Sequence, residues 1–190
     1  MSDCLVGRRS ILRCVNDHDI PYLARLYRDL DERELWTSRN SMPTDSTFRE
    51  QFYHDLQGYY HTAFVICVKD KPDIPVGFFY TYQYSPSDGT LFTTIVLDRS
   101  NRLNGVAAEA GMLAYRYLFN NFPLRKIYAD IFDFNQSSLA FARQCGFVEE
   151  GYLKHHTFRA GAYRGLYTFA LYRKECKETV ELYLGKEEHV

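Results

Sequence analysis

At 190 residues, with 46% hydrophobic and 25% charged side chains, the chain has the size and composition of one folded domain, which excludes disorder and collagen-like repeats. Its 23 Lys+Arg against 24 Asp+Glu leave a formal charge of −1, without the basic surplus that broad nucleic-acid binding requires, and no apolar run approaches the ~18 residues of a membrane span. The unusual figure is the aromatic share, 16%, with 16 Tyr and 14 Phe but one Trp.

The first elements read as a half-buried strand over Ser10 to Val15 and an amphipathic helix. Asn16, Asp17 and Asp19 start that helix, Pro21 suits its first turn, and Ile20, Leu23, Ala24 and Tyr27 form its apolar stripe. Asp31 to Thr47 is polar and irregular and reads as a loop, and a second helix covers Phe48 to Leu56. Three strands follow, Ala63 to Val68, Val76 to Tyr84 and Leu91 to Leu97, separated by a turn over Lys69 to Pro75 and another over Ser85 to Gly89. They suit an antiparallel meander. Gly105 to Phe119 is helical, Lys126 to Phe132 a strand, and Ser137 to Gln144 a short helix closed by Gly146. Phe147 to Phe158 and Tyr163 to Tyr172 are two more strands around Gly161. The order predicts a mixed α/β (α+β) domain over residues 1–174 and a charged tail over 175–190, with an amphipathic turn near Val180 to Leu184.

Five cysteines, Cys4, Cys14, Cys67, Cys145 and Cys176, make an odd number with no C-x-x-C pair. They read as small apolar fillers in a reducing compartment. With no signal-type apolar region after Arg8 and Arg9, a cytoplasmic protein is expected. His54 and His61 have no ligand-like spacing, so no metal is expected.

Chemistry concentrates where the meander ends. In Arg99-Ser100-Asn101-Arg102-Leu103-Asn104-Gly105-Val106-Ala107, a strand runs through a small-residue turn into a helix. Backbone N–H groups of Asn104 to Ala107 lack intrahelical partners, Gly105 admits close approach, and Arg102 adds charge. This is either a phosphate cradle or an ordinary helix start. It is neither a Walker loop nor a G-x-G-x-x-G turn. Asn135, at the next strand-to-helix junction, can cap its helix or bond an amide-rich ligand, with Ser138 one turn on.

Together these stretches carry a resemblance. Arg102-x-x-Gly105-x-Ala107 resembles the (Gln/Arg)-x-x-Gly-x-(Gly/Ala) acetyl-CoA signature of the GNAT superfamily of N-acetyltransferases. Asn135-x-x-Ser138, Gly146-Phe147, Glu150-Gly151 and the Phe158 to Tyr163 hairpin resemble the branch of the ribosomal-protein alanine acetyltransferases and related small-molecule amine acetyltransferases. The likeness runs from about Ile11 to Lys174. It implies a central mixed, mostly antiparallel sheet of about six or seven strands flanked by helices, with one strand pair splayed at the cofactor cleft. It also implies acetyl-CoA as acyl donor. Arg102, Asn104, Gly105, Val106 and Ala107 fall where the family cradles the pyrophosphate. Asn135 and Ser138 fall where it contacts the pantetheine arm or the adenosine-side phosphate, and Ile95, Val96 and Leu97 fall on the splayed strand.

The family reaction is direct attack of an amine on the thioester. It needs a base, a backbone donor for the oxyanion (here Val96 or Leu97) and often a Tyr acid, whose place is taken by Ala142. Asp98 is the candidate base. Tyr82, from the stripe Tyr80, Tyr82, Tyr84, is the second catalytic candidate. His155 and His156 are expected on opposite faces of a strand; Glu149 and Glu150 start the next strand, and an ordinary strand-start role is weighed above a place for one of them in the cleft. The expected acceptor is the primary amine of a small molecule: an amino sugar, a polyamine or another amine metabolite. A protein amine and a non-catalytic acyl-CoA-binding module are the alternatives. The family commonly forms homodimers, and neither a nucleic-acid nor a membrane partner is expected.

Overall fold

Adjacent aromatic side chains on the central strands go to opposite faces, and this builds two cores. A computed structural model describes residues 4–37, 43–58, 60–102, 105–159 and 161–184. Its elements are β1 (Cys4–Val6), β2 (Ser10–Cys14), α1 (Ile20–Arg28), α2 (Leu30–Arg33), α3 (Asp45–Gly58), β3 (Tyr60–Val68), β4 (Lys71–Ser85), β5 (Thr90–Leu97), α4 (Val106–Asn121), β6 (Lys126–Phe132), α5 (Gln136–Gln144), β7 (Val148–Arg159), β8 (Ala162–Tyr172) and α6 (Arg173–Leu184). Phe79 points with Leu12, Ile66, Met112, Leu118 and Phe169 into the core under α4, α5 and α6. Its neighbour Phe78 points with Leu23, Tyr27, Phe52 and Val65 into the core under α1 and α3.

Among the described residues the sheet has eight strands in the order β1-β2-β3-β4-β5-β6-β8-β7. This is the mixed, mostly antiparallel α+β sheet that was expected, one strand larger because β1 pairs with β2. The β3–β4–β5 meander is antiparallel. The pair β5–β6 is parallel, and it is short. Thr90, Leu91 and Phe92 face Lys126, Ile127 and Tyr128, and beyond them the two strands part. No helix of the described residues is long and apolar enough to cross a membrane.

Local chemistry explains the entries into the helices. Asn16 Oδ1 accepts from His18 N–H at 2.9 Å, while Asp19 Oδ2 accepts from Asn16 N–H at 2.9 Å. The two bonds make a reciprocal cap leading into α1. Buried Asp19 is also gripped by Arg13 through two bonds of 2.8 and 2.9 Å. Asn135 caps α5 by accepting from Ser138 N–H at 3.1 Å, and Gly146, at φ +82°, ends it.

Four local expectations change. The Lys69 to Pro75 turn contracts to its first two residues, and Lys71 already belongs to β4. The two prolines are tolerated there because the β3–β4 ladder is irregular between Ile66 and Val68. Tyr84 does not share a face with Tyr80 and Tyr82. Gln83 has φ 49° at a break in the β4–β5 register, which turns Tyr84 to the α4 side against Phe122. His155, at φ 54°, lies in a second break, so strict alternation fails for His155 and His156, and both are exposed. The segment read as a charged tail folds as α6 through Leu184, and Cys176 and Val180 bury in the core beside α4.

Candidate active site

Where β5 and β6 part, both strands keep unpaired backbone edges, and a cleft fills the fork. Its narrow part, about 70 Å³, lies between Thr93–Ile95 of β5 and Ala129–Ile131 of β6. Tyr115 of α4, Phe141 and Ala142 of α5, Phe147 and, from beyond α2, Trp36 complete its lining. The wider part, about 300 Å³, continues past Val96, Leu97, Arg102 and Ala107. Ile95, Trp36, Asn135, Ser138 and Phe141 line both parts, so they form one channel.

Seven of the ten expected cofactor residues line this channel: Ile95, Val96, Leu97, Arg102, Ala107, Asn135 and Ser138. Asn104 lies outside the described residues. Val106 is buried in the α4 core, and Gly105 stands just before α4 in the left-handed region, φ +71°. A Cβ on Gly105 would stand 2.7 Å from Arg9 Nη1. Arg102 does not stand alone. Its Nε donates to Leu97 O at 3.0 Å, and its guanidinium pairs with Glu32 of α2, which Arg99 Nε also reaches at 3.1 Å.

Asn135 does more than cap. Its Nδ2 donates to Leu35 O at 2.9 Å and so latches the segment after α2 onto α5. The latch holds Trp36 over the channel. Trp36 packs edge-on against Tyr27 with centroids 4.7 Å apart, and its buried Nε1 has no hydrogen-bond partner. An orphan donor beside two unpaired strand edges, next to a helix N-terminus freed of a Cβ, fits a long ligand with amides at one end and phosphates at the other. CoA has that chemistry.

Asp98, the expected base, is not among the channel's lining residues. It accepts from Arg25 at 3.4 Å and lines an adjoining cavity of about 570 Å³ between α1, α2 and the end of β5, which shares Val96 and Leu97 with the channel. Tyr82 stacks between Tyr80 and Phe92 on the α1–α3 face and is not among the channel's lining residues. Glu149 pairs with Arg143 at 3.6 Å, and Glu150 bonds Lys126 at 2.6 Å and Tyr172. Neither lines the channel.

Two titratable residues not singled out as site residues do line it. Asp130 is the charged side chain of the narrow part. Asp130 is exposed at the surface end of the narrow part, yet desolvation by the surrounding groups pushes its carboxyl above the ordinary value, although Thr168 Oγ1 donates to it at 2.8 Å and His156 lies nearby. Its signal in the sequence is an acid in the middle of an apolar strand. Tyr115 sits between Phe79 and Phe147, edge-on to both. Burial raises its phenol well above the ordinary value and keeps it protonated, a hydroxyl in the same space that Ala142 leaves without one.

Known proteins share this arrangement. The family model for the acetyltransferase (GNAT) domain matches residues 9–148. The uncharacterized, SPbeta prophage-derived N-acetyltransferase YokL of Bacillus subtilis (strain 168) is 24% identical over 173 residues, 89% of this chain and 93% of that protein. Among solved structures, the spermidine N-acetyltransferase of Vibrio cholerae, in complex with CoA and spermine, superposes with a TM-score of 0.80 at 19% identity, covering 88% of this chain and 98% of that one. The ribosomal alpha-N-protein acetyltransferase RimL, in complex with CoA, gives 0.77 at 17%, covering 89% and 97%. At such identities the structures establish the fold, and the family model, spanning most of the chain, establishes the lineage: the chain belongs to the GNAT superfamily and is an acetyl-CoA-dependent acetyltransferase.

Proposed function

We propose that this chain acetylates the primary amine of a small molecule with an apolar body and a single ammonium group. The observation that carries the reading is the narrow end of the channel, a small space walled by Trp36, Phe141, Phe147 and Tyr115, with Asp130 as its charged side chain. One carboxylate on an aromatic wall suits one cation better than a polycation. The space is also small for a folded protein's terminus. That the similar solved structures include a spermidine and a protein N-acetyltransferase supports an amine as acceptor. Acetyl-CoA supplies the activated acyl group. Asp130 attracts the ammonium and takes its proton, the backbone N–H groups of the parted β5 edge face the carbonyl oxygen, and the Trp36 wall excludes water.

The test is release of the CoA thiol across an amine panel. Apolar-bodied monoamines are expected to outpace spermidine and N-terminal peptides. Asp130→Asn is expected to lower turnover by about 100-fold, within the range of a lost general base, with CoA affinity unchanged. Preference for a peptide would overturn the acceptor assignment. CoA binding with no thiol release from any amine would make the chain a non-catalytic binder.

We also propose a homodimer through β7. This 12-residue strand ends the sheet, and Tyr152, Leu153 and Phe158 on it are 44%, 47% and 59% exposed. A free antiparallel edge is self-complementary across a two-fold axis. Light scattering is expected to show a dimer that Leu153→Glu converts to monomer, and a monomeric wild type would refute it.

A further inference from the structure

The backbone after α2 sends its hydrogen bonds in two directions. Leu35 N–H donates to Glu32 O at 3.1 Å, and the Trp36 and Thr37 N–H groups both donate to Arg33 O, at 3.1 and 3.0 Å. The donors of this segment are thus turned back onto α2. Its carbonyls go the other way: Leu35 O accepts from Asn135 Nδ2 at 2.9 Å, and Thr37 O accepts from Arg159 Nη2 at 2.6 Å. α2 follows α1, which shares its core with β3 and β4, whereas Asn135 lies beyond β6 and Arg159 ends β7. Leu35–Thr37 therefore bridges the two halves of the sheet across the fork where β5 and β6 part.

The bridge is built from buried parts. Arg159 is 7% exposed and Thr37 8%, and the Arg159 guanidinium lies 5.5 Å from the centre of the Phe132 ring. Burial pulls that guanidinium below its ordinary value, with Glu34 opposing the shift. The carbonyls held by Asn135 and Arg159 stand on either side of Trp36. The indole is not held by a polar contact of its own, since Nε1 is buried without a partner, and its ring leans edge-on against Tyr27. Trp36 lines both parts of the channel, so the two bracketing bonds fix one of its walls. We propose that Arg159 is a positioning residue for the acceptor: by clasping Thr37 across the fork, it fixes Trp36 at the depth that decides how bulky an amine the narrow part admits. This rests on the small-molecule acceptor reading and adds to it the residue that sets the size limit.

Trp36 is the chain's single tryptophan, so tryptophan emission reports on this wall alone. The experiment compares wild type with Arg159→Lys, Arg159→Gln and Arg159→Met. It reads emission with acrylamide quenching, CoA affinity by calorimetry, melting curves, and kcat and KM over monoamines of increasing bulk. Arg159→Gln and Arg159→Met withdraw the donor from Thr37 O. Both are expected to shift the emission to the red and to raise quenching, because the freed indole meets water. Both are expected to raise KM for a compact amine about tenfold with kcat nearly unchanged, and to narrow the gap between compact and bulky amines by a similar factor. CoA affinity is expected to fall by less than KM rises, because the strand edges and the signature loop are untouched. Arg159→Lys, which keeps the charge and most of the reach, is expected to recover most of the wild-type behaviour. In a Trp36→Leu background, Arg159→Gln is expected to leave amine selectivity where Trp36→Leu already puts it, because both act through one ring. Wild-type emission and a wild-type amine profile in Arg159→Gln overturn the clasp. So does an equal loss of kcat on every amine with emission unmoved, which is what a merely stabilising residue gives, and so does failure of both Arg159→Gln and Arg159→Met to melt cooperatively. A wild type that acetylates no amine overturns the acceptor reading instead; the emission readout needs no amine and separates the two failures.

Discussion

Gly105→Glu, at the start of α4 beside the channel, is expected to weaken CoA binding by about 100-fold. Two effects add. The new Cβ stands 2.7 Å from Arg9 Nη1, so the guanidinium must swing away or pair with the new carboxylate. A carboxylate at the mouth of the cradle then repels the phosphates across a short distance in a partly dry site. The backbone contributes separately. At φ +71° a side chain costs about 1–2 kcal/mol, a drop of roughly 2–8 °C in melting temperature for a domain of this size. Gly105→Ala has the same backbone penalty without the charge, so it separates the two: its melting temperature should match that of Gly105→Glu while most of its CoA affinity remains. Equal CoA affinity in wild type and Gly105→Glu would remove the phosphates from this end of α4.

Glu109→Ala is expected to cost about 3 kcal/mol, or roughly 6–12 °C, because three backbone N–H groups and a hydroxyl lose a charged acceptor at once. The effect has a pH signature. Burial pushes the Glu109 carboxyl up, but the bonds from Ser10 and from the backbone of Arg9 and Arg8 outweigh it and leave the group below its ordinary value of 4.5. A carboxyl depressed by folding contributes its stability above the unfolded pKa and loses it as the pH falls through the folded one. The gap between wild type and Glu109→Ala should therefore be full at neutral pH and close as the pH falls below about 4.5. A gap that stays constant from neutral pH down to about 3 would mean that packing, not the ionised carboxylate, holds the turn between β1 and β2.

Most of the fold was legible because apolar periodicity reports burial. Lys126 to Phe132 reads as a strand and forms β6 with the same ends. The meander and the helix after Gly105 follow equally well, since their side chains face well-defined cores. What periodicity cannot carry is a break in itself. Tyr84 and His155 were misplaced because a left-handed residue at Gln83, and at His155 itself, interrupts alternation, and neither is a glycine or asparagine that would announce it. The tail failed for a different reason: half of α6 is charged and it buries only Cys176 and Val180, too narrow a stripe to stand out.

The site divides along similar lines. The backbone parts were legible from local motifs, because a strand-to-helix junction with a glycine dictates its own geometry. The side chains that complete it come from far along the chain. Asn135 Nδ2 reaches Leu35 O across 100 positions, and Glu32 reaches Arg102 across 70. Asp98 was chosen for nearness in sequence to the motif and Tyr82 for its place in an alternating stripe, and both lie outside the channel lining, whereas Asp130 sits on the facing strand.

The fork between β5 and β6 has one more consequence. Three residue pairs are all that joins the strands β1 to β5 to the strands β6 to β8 within the sheet. Beyond them, two half-sheets face each other with unspent donors and acceptors. A ligand whose amides span that gap acts as a strut between the halves, so occupancy and mechanical cohesion become one quantity. Whatever concentration of CoA surrounds the protein then also sets how firmly its two halves are held together.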